Sequence, residues 1–191
     1  RIGFPEFFFF KPEFFLQIQG DQLLIQGENC GEIYNQIVTE ECSYQSSSQI
    51  IVKQKLTKAE YIEKVSRLQQ HIVRGDCYEI NFCQEFFAEA VEIDPVEIFQ
   101  RLVEISPNPF SALYKWNDCY LICASPERFN AKKGNKLFSQ PMKGTIKRNL
   151  DRDDEDKKLK TELQKSAKER SENVMVVDLV RNDLSKVCKE T

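Results

Sequence analysis

The chain has 191 residues, 41% of them apolar and 30% charged, with a formal charge of −3 at neutral pH. That length supports one sizeable core, or one domain with part of another. Acids and bases are interspersed, which excludes the basic footprint of a nucleic-acid binder, and no apolar stretch is long enough to span a membrane.

The densest apolar run, Phe4 to Leu16, is broken by Pro5, Glu6, Lys11, Pro12 and Glu13 and lacks the layout of a signal peptide. Residues 1–56 read as a β-rich segment, with short runs at Phe7 to Phe10, Phe14 to Ile18 and Leu23 to Ile25, divided by Pro12 and by Gly20-Asp21. Ser43 to Gln49 reads as a polar loop, followed by Ile50-Ile51-Val52. The phenylalanines crowded before Leu16 predict a strand pair whose aromatic face packs on another element.

Thr57-Lys58-Ala59-Glu60 has the form of a capping box, and Tyr61, Val65, Leu68 and Ile72 recur behind it at helical spacing until Gly75. Alternation follows, with Tyr78, Ile80 and Phe82 on one face and Glu79, Asn81 and Cys83 on the other, which predicts a strand. Asp94-Pro95 starts a second helix. Strands are predicted at Ser111 to Lys115, Tyr120 to Ala124, Arg128 to Ala131 and Lys136 to Phe138, as an antiparallel meander with turns at Trp116-Asn117-Asp118 and Gly134-Asn135. Asn149 to Lys165 predicts a solvated loop and surface helix. Ser166-Ala167-Lys168-Glu169 then caps a helix reaching Leu184. This order predicts an α+β fold, an antiparallel sheet or sheets flanked by helices.

Seven cysteines without a CxxC pair favour reduced cytosolic thiols, and hence a cytoplasmic protein, over zinc ligation or a disulfide framework. The single histidine, His71, leaves no His-based metal site or catalytic triad. Three stretches are left to carry chemistry. Ser125-Pro126-Glu127-Arg128-Phe129 is a proline-pinned turn that projects a carboxylate from a strand edge. In Pro141-Met142-Lys143-Gly144-Thr145, the glycine permits close approach of a ligand to backbone amides and the Thr145 hydroxyl, a cradle for a carboxylate or phosphate. Lys143 beside such a cradle is suited to an electrostatic clamp or to a nucleophile. The third stretch runs from Lys168 to Leu184. Acids at Glu172, Asp178 and Asp183 share that helix with valines, so they cannot all face solvent while the valines pack. Solvated acids are the plainer reading of this stretch, and a hard oxygen ligand for Mg²⁺ is the sharper one.

Taken in order, these stretches resemble the chorismate-binding enzyme family. Gly75-Asp76-Cys77-Tyr78-Glu79-Ile80-Asn81 is similar to the family's G-D-x-Y-Q-x-N strand, and Ser106-Pro107-Asn108-Pro109-Phe110-Ser111-Ala112 to its N-P-x-P-F-S-A turn. The resemblance runs from Thr57 to Thr191, so residues 57–191 read as the N-terminal part of a catalytic domain. Lys143 points to the family's aminodeoxychorismate synthase branch, because the anthranilate branch usually has alanine there, and Asn173 agrees. Glu79 departs from the usual glutamine and argues against isochorismate formation, where a lysine stands.

What the resemblance implies is specific. Lys143 is a covalent nucleophile, Glu127 a general acid, Gly144 and Thr145 bind a substrate carboxylate, and Glu172 is one of two Mg²⁺ glutamates. Chorismate is the substrate, and ammonia comes from a partner glutamine amidotransferase subunit. The chain opens on Arg1 and stops at Thr191 directly behind a helical pattern, so both ends read as cut. The second glutamate, a Gly-Ser-rich loop and a carboxylate-binding arginine are expected beyond Thr191, and the isolated chain is expected to be inactive.

Overall fold

The computed structural model describes residues 3–41 and 50–191; the loop read at Ser43 to Gln49 lies outside them. The chain divides into two compact units, Gly3–Ile98 and Phe99–Thr191, and the division falls within one helix. Helices and antiparallel two-stranded ribbons share the chain, an α+β arrangement. None of the described side chains is fully buried. No helix among the described residues is long and apolar enough to cross a membrane.

In the first unit, β1 (Phe15–Gln19) and β2 (Gln22–Gln26) form a hairpin closed at Gln19 and Gln22, with Gly20 at a φ of 62°. A positive φ costs glycine nothing, which suits it to this turn. Phe7 to Phe10 is not a strand, and Phe7 and Phe9 stand exposed. Helix α1 (Cys30–Thr39) follows, a departure from the β-rich reading of this segment. Its Ile33 and Ile37 keep the four-residue spacing of a helix, although β-branched residues and Gly31 favour other structure.

Helix α2 (Lys58–Arg74) carries the complete capping box. The Thr57 hydroxyl accepts from the Glu60 amide at 3.3 Å, and Glu60 accepts from the Thr57 amide at 2.8 Å. Gly75 ends it at a φ of 82°. The predicted strand at Tyr78 to Cys83 is not formed. Pairing begins only at β4 (Phe86–Phe87), against β3 (Lys53–Gln54), where Lys53–Glu89 and Lys55–Glu85 ion pairs flank the ribbon at 2.8 and 2.7 Å. Alternation is a property of side chains, whereas a strand also needs a neighbour for its N–H and C=O groups. Phe82 instead rests on α2, its ring 5.1 Å from that of Tyr61.

Helix α3 (Pro95–Ile105) begins at Asp94, whose carboxylate accepts from the Val96 amide at 2.8 Å. In the second unit, β5 (Phe110–Trp116) and β6 (Cys119–Ser125) pair from Phe110↔Ser125 to Trp116↔Cys119. Their two-residue turn places Asn117 at a φ of 51°, a conformation that asparagine tolerates. A second hairpin, β7 (Arg128–Lys133) and β8 (Lys136–Gln140), turns at Gly134. The predicted meander is therefore two ribbons, because β6 does not pair with β7. Pro126 lies at that junction, lacks a ladder donor and turns the chain out of the sheet.

Helix α4 (Asp153–Lys165) has four acids in its first turn, which favours its N-terminus electrostatically. Ser166 both ends α4 and caps α5 (Ala167–Ser185), accepting from the Glu169 amide at 3.4 Å, so a single residue makes the corner between them. Ahead of α4, Asp156 accepts from Arg148 at 2.6 Å and from the Asn149 amide at 3.1 Å, tying the preceding loop to the helix. The Arg148 hydrogen bond holds the Asp156 carboxyl below its usual range, against partial desolvation, and the Asn149 amide adds to the effect. A carboxyl depressed in the folded state contributes stability above the unfolded value of about 3.9, and that contribution is lost as pH falls through the folded value. The melting temperature of Asp156→Asn should therefore fall furthest below wild type near pH 6, and the gap should close below about pH 4. A gap that ignores pH between these limits would contradict the assignment, and circular dichroism melts measure it.

Candidate active site

The three chemistry-bearing stretches meet in the second unit through a chain of close contacts. The first link joins the turn after β6 to the loop after β8. Ser125 and Pro126 shape that turn, with the Ser125 hydroxyl accepting from the Glu127 amide at 3.3 Å. The Glu127 carboxylate then accepts from the Met142 amide at 2.9 Å through Oε1. A fixed amide donor on one carboxylate oxygen sets the direction of the other, which a proton donor requires.

The second link joins the loop to α5. Gly144 adopts a φ of 76°, and a Cβ built there would lie 2.5 Å from Oε2 of Glu169 and 3.0 Å from its Cβ. The loop thus lies directly on the first turn of α5, at a distance that only a glycine permits. The third link lies within α5. Lys168 Nζ sits 3.7 Å from Glu169 Oε1 and 3.9 Å from Glu172 Oε1. The side chains of Glu169 and Glu172 keep 25% and 44% of their exposure, and each lies on the helix face that continues through Val176, Val180 and Leu184.

That face and the β7–β8 hairpin border a cleft of about 480 Å³, lined by Glu127, Phe129, Leu137 and Pro141 on one side and by Val176, Val180 and Leu184 on the other. Of the five residues to which the resemblance gives roles, Glu127 alone lines this cleft, and Asp183, one of the α5 acids, borders it as well. Lys143 and Gly144 are half-buried in the loop, and Thr145 is exposed. The expectation that the α5 acids and valines compete for the interior is corrected. Val174 and Val177 are 66% and 44% exposed, while Asp178 and Asp183 face solvent and pair with Arg181 and Lys186 at 2.7 and 2.8 Å. The apolar stripe is narrow enough for both acids to stay outside it.

Sequence reasoning assigned Glu169 to helix capping alone, and the structure adds its contact with Gly144. The readable signal was the E-x-x-E spacing of Glu169 and Glu172, which puts two carboxylates on one helix face. As for a metal, no cluster of three His, Cys, Asp or Glu side chains occurs among the described residues. Mg²⁺ commonly binds one or two carboxylates while keeping waters and substrate oxygens, and the half-exposed Glu172 carboxylate supplies one such donor. The donor set fits that mode.

The Gly144–Glu169 contact has a direct consequence. Gly144→Ala should destabilise the protein by about 1–3 kcal/mol, from its positive φ and from the clash. In a Glu169→Ala background the penalty should shrink, because the carboxylate facing the new methyl is gone. Equal penalties in the two backgrounds, read by denaturant titration, would rule out the contact.

Comparison with known proteins identifies the family. A sequence model described as chorismate binding enzyme matches residues 3–191. The chain is 38% identical over 132 residues to aminodeoxychorismate synthase component 1 of Salmonella typhimurium, covering 69% of this chain and 29% of that protein. It is 37% identical over 134 residues to the chloroplastic anthranilate synthase alpha subunit 1 of Arabidopsis thaliana, covering 70% of this chain and 22% of that protein. The chain therefore spans less than a third of the length of these curated relatives. Its fold matches that of anthranilate synthase component I from Streptococcus pneumoniae with a TM-score of 0.68 at 24% identity, over 82% of this chain and 34% of that one. The chain is a member of the chorismate binding enzyme family.

Proposed function

We propose that the protein carrying this chain forms 4-amino-4-deoxychorismate from chorismate and ammonia, a step toward para-aminobenzoate and folate. One observation carries the reading: Lys143 stands between Met142, which is bonded to Glu127, and Gly144, which lies against Glu169. The loop that carries the primary amine is thereby tied to a carboxyl acid on one side and to the first turn of α5, with its carboxylates, on the other.

The chemistry follows from that placement. The Lys143 amine, neutral at the moment of attack, bonds to ring carbon 2, and both ring double bonds shift as the bond from carbon 4 to its hydroxyl oxygen breaks. Glu127 gives its proton to the departing oxygen, which leaves as water, and the lysine nitrogen loses a proton to solvent. Ammonia then bonds to carbon 4, the double bonds shift back, and the Lys143 nitrogen leaves carbon 2 and recovers a proton. Gly144 and Thr145 hold a substrate carboxylate through backbone amide and hydroxyl. Mg²⁺ at Glu172, with a second glutamate from elsewhere in the protein, would neutralise the ring carboxylate of chorismate. A separate glutamine amidotransferase supplies ammonia; the designation component 1 among the relatives supports such a two-part system.

The competing reading is an anthranilate synthase, favoured by an identity to the Arabidopsis subunit close to that of the aminodeoxychorismate synthases. Lys143 supports the first reading, since the anthranilate branch usually carries alanine at that position.

Mass spectrometry tests the nucleophile. The intact gene product, incubated with chorismate and Mg²⁺ but no ammonia, should accumulate a ring adduct on the peptide containing Lys143, and Lys143→Ala should abolish it. An unmodified peptide with substrate demonstrably bound would leave Lys143 as a clamp. The metal assignment has its own measure: Glu172→Gln should raise the Mg²⁺ concentration for half-maximal activity by about tenfold or more. An unchanged requirement would mean that the ligand is another carboxylate.

A further inference from the structure

We propose that Arg128 is a positioning residue for Glu127, a role that rests on the reading of Glu127 as the proton donor. Its guanidinium carbon lies 4.7 Å from the centre of the Phe110 ring and 5.6 Å from that of Phe138. Nε donates to Oε1 of Gln140 at 2.8 Å. The cation thus lies over two aromatic rings while its Nε is held by an amide oxygen.

The clamp sits where backbone pairing is weakest. Arg128 and Gln140 are register partners, but the ladder is irregular between Arg128 and Ala131. Side chains hold the hairpin mouth there: Arg128 to Gln140, and the Ser139 hydroxyl to the Phe129 carbonyl. From that mouth Glu127 precedes Arg128, and Met142 follows Gln140 across Pro141, whose ring restricts the backbone. Phe110 adds a second anchor, because it is the register partner of Ser125, the first residue of the turn that carries Glu127. One guanidinium therefore fixes both ends of the Ser125–Arg128 turn, and with them the Glu127–Met142 hydrogen bond. A lysine would keep the charge but lose the planar face and Nε.

The test uses the intact gene product and two readouts. Hydrogen exchange at the Met142 amide reports the Glu127 contact whatever reaction the enzyme performs. Steady-state turnover of chorismate with ammonia and Mg²⁺ reports its consequence. Arg128→Lys should speed Met142 exchange and lower kcat on the order of tenfold, with KM for chorismate within about twofold. In a Glu127→Gln background the same change should lower kcat no further, since the donor to be oriented is already gone. Gln140→Ala keeps both ring contacts and should shift Met142 exchange in the same direction, which preserves the test if Arg128→Lys folds poorly. The proposal is overturned if Met142 exchange stays at the wild-type rate in both variants, or if Arg128→Lys takes its full toll on top of Glu127→Gln. Faster Met142 exchange with a fully active Glu127→Gln would instead uphold the positioning and remove Glu127 from the chemistry.

Discussion

The hydrogen bond from the Met142 amide to the Glu127 carboxylate is the constraint on which the site depends. It joins two segments separated by a whole hairpin, and it converts the loop after β8 from a tether into a positioned element. Once Met142 is held, the next two residues have little freedom. Lys143 is carried at the loop's centre, and Gly144 is pressed onto Glu169 with a φ of 76°. A residue with a Cβ would push the loop off the first turn of α5.

Local sequence signals place the elements that this constraint uses. Two-residue turns at Asn117-Asp118 and Gly134-Asn135 set the registers of both hairpins of the second unit. Ser166 then turns the chain from α4 into α5 within one residue and aims the first turn of α5 at the loop. On the far side, Asp156 binds Arg148 and Asn149, so the segment after Thr145 is fixed at its other end as well. The site loop is therefore held at both ends by carboxylates accepting from backbone amides. At the Asp156 end the bond from Arg148 joins a charged donor to an ionised acceptor, which is stronger than one between neutral groups.

Features set by a few neighbouring residues were the ones legible in the sequence. The Thr57–Glu60 capping box, Gly75 at the end of α2, Asp94 before α3 and the four strands of the second unit all occur where their residues predicted. What needed a distant partner was not legible. Tyr78 to Cys83 alternates as a strand does, yet it finds no ladder neighbour among the described residues. The meander became two ribbons because Pro126 breaks the pairing that continuous strand spacing suggested. Helix α1 was hidden by its β-branched residues, whose preference for strands is only a weak guide to local structure. For the candidate site, the motifs carried the residue types but not their contacts. Neither the Met142 amide as partner of Glu127 nor the approach of Gly144 to Glu169 follows from spacing along the chain.

The position at which the amine is placed on the ring decides whether Lys143 acts as proposed. Intact gene product supplied with chorismate, Mg²⁺ and ¹⁵N-ammonia should yield a product that retains the enolpyruvyl group and carries nitrogen at carbon 4, identified by nuclear magnetic resonance and mass. Nitrogen at carbon 2 with release of pyruvate, which is anthranilate formation, would contradict it.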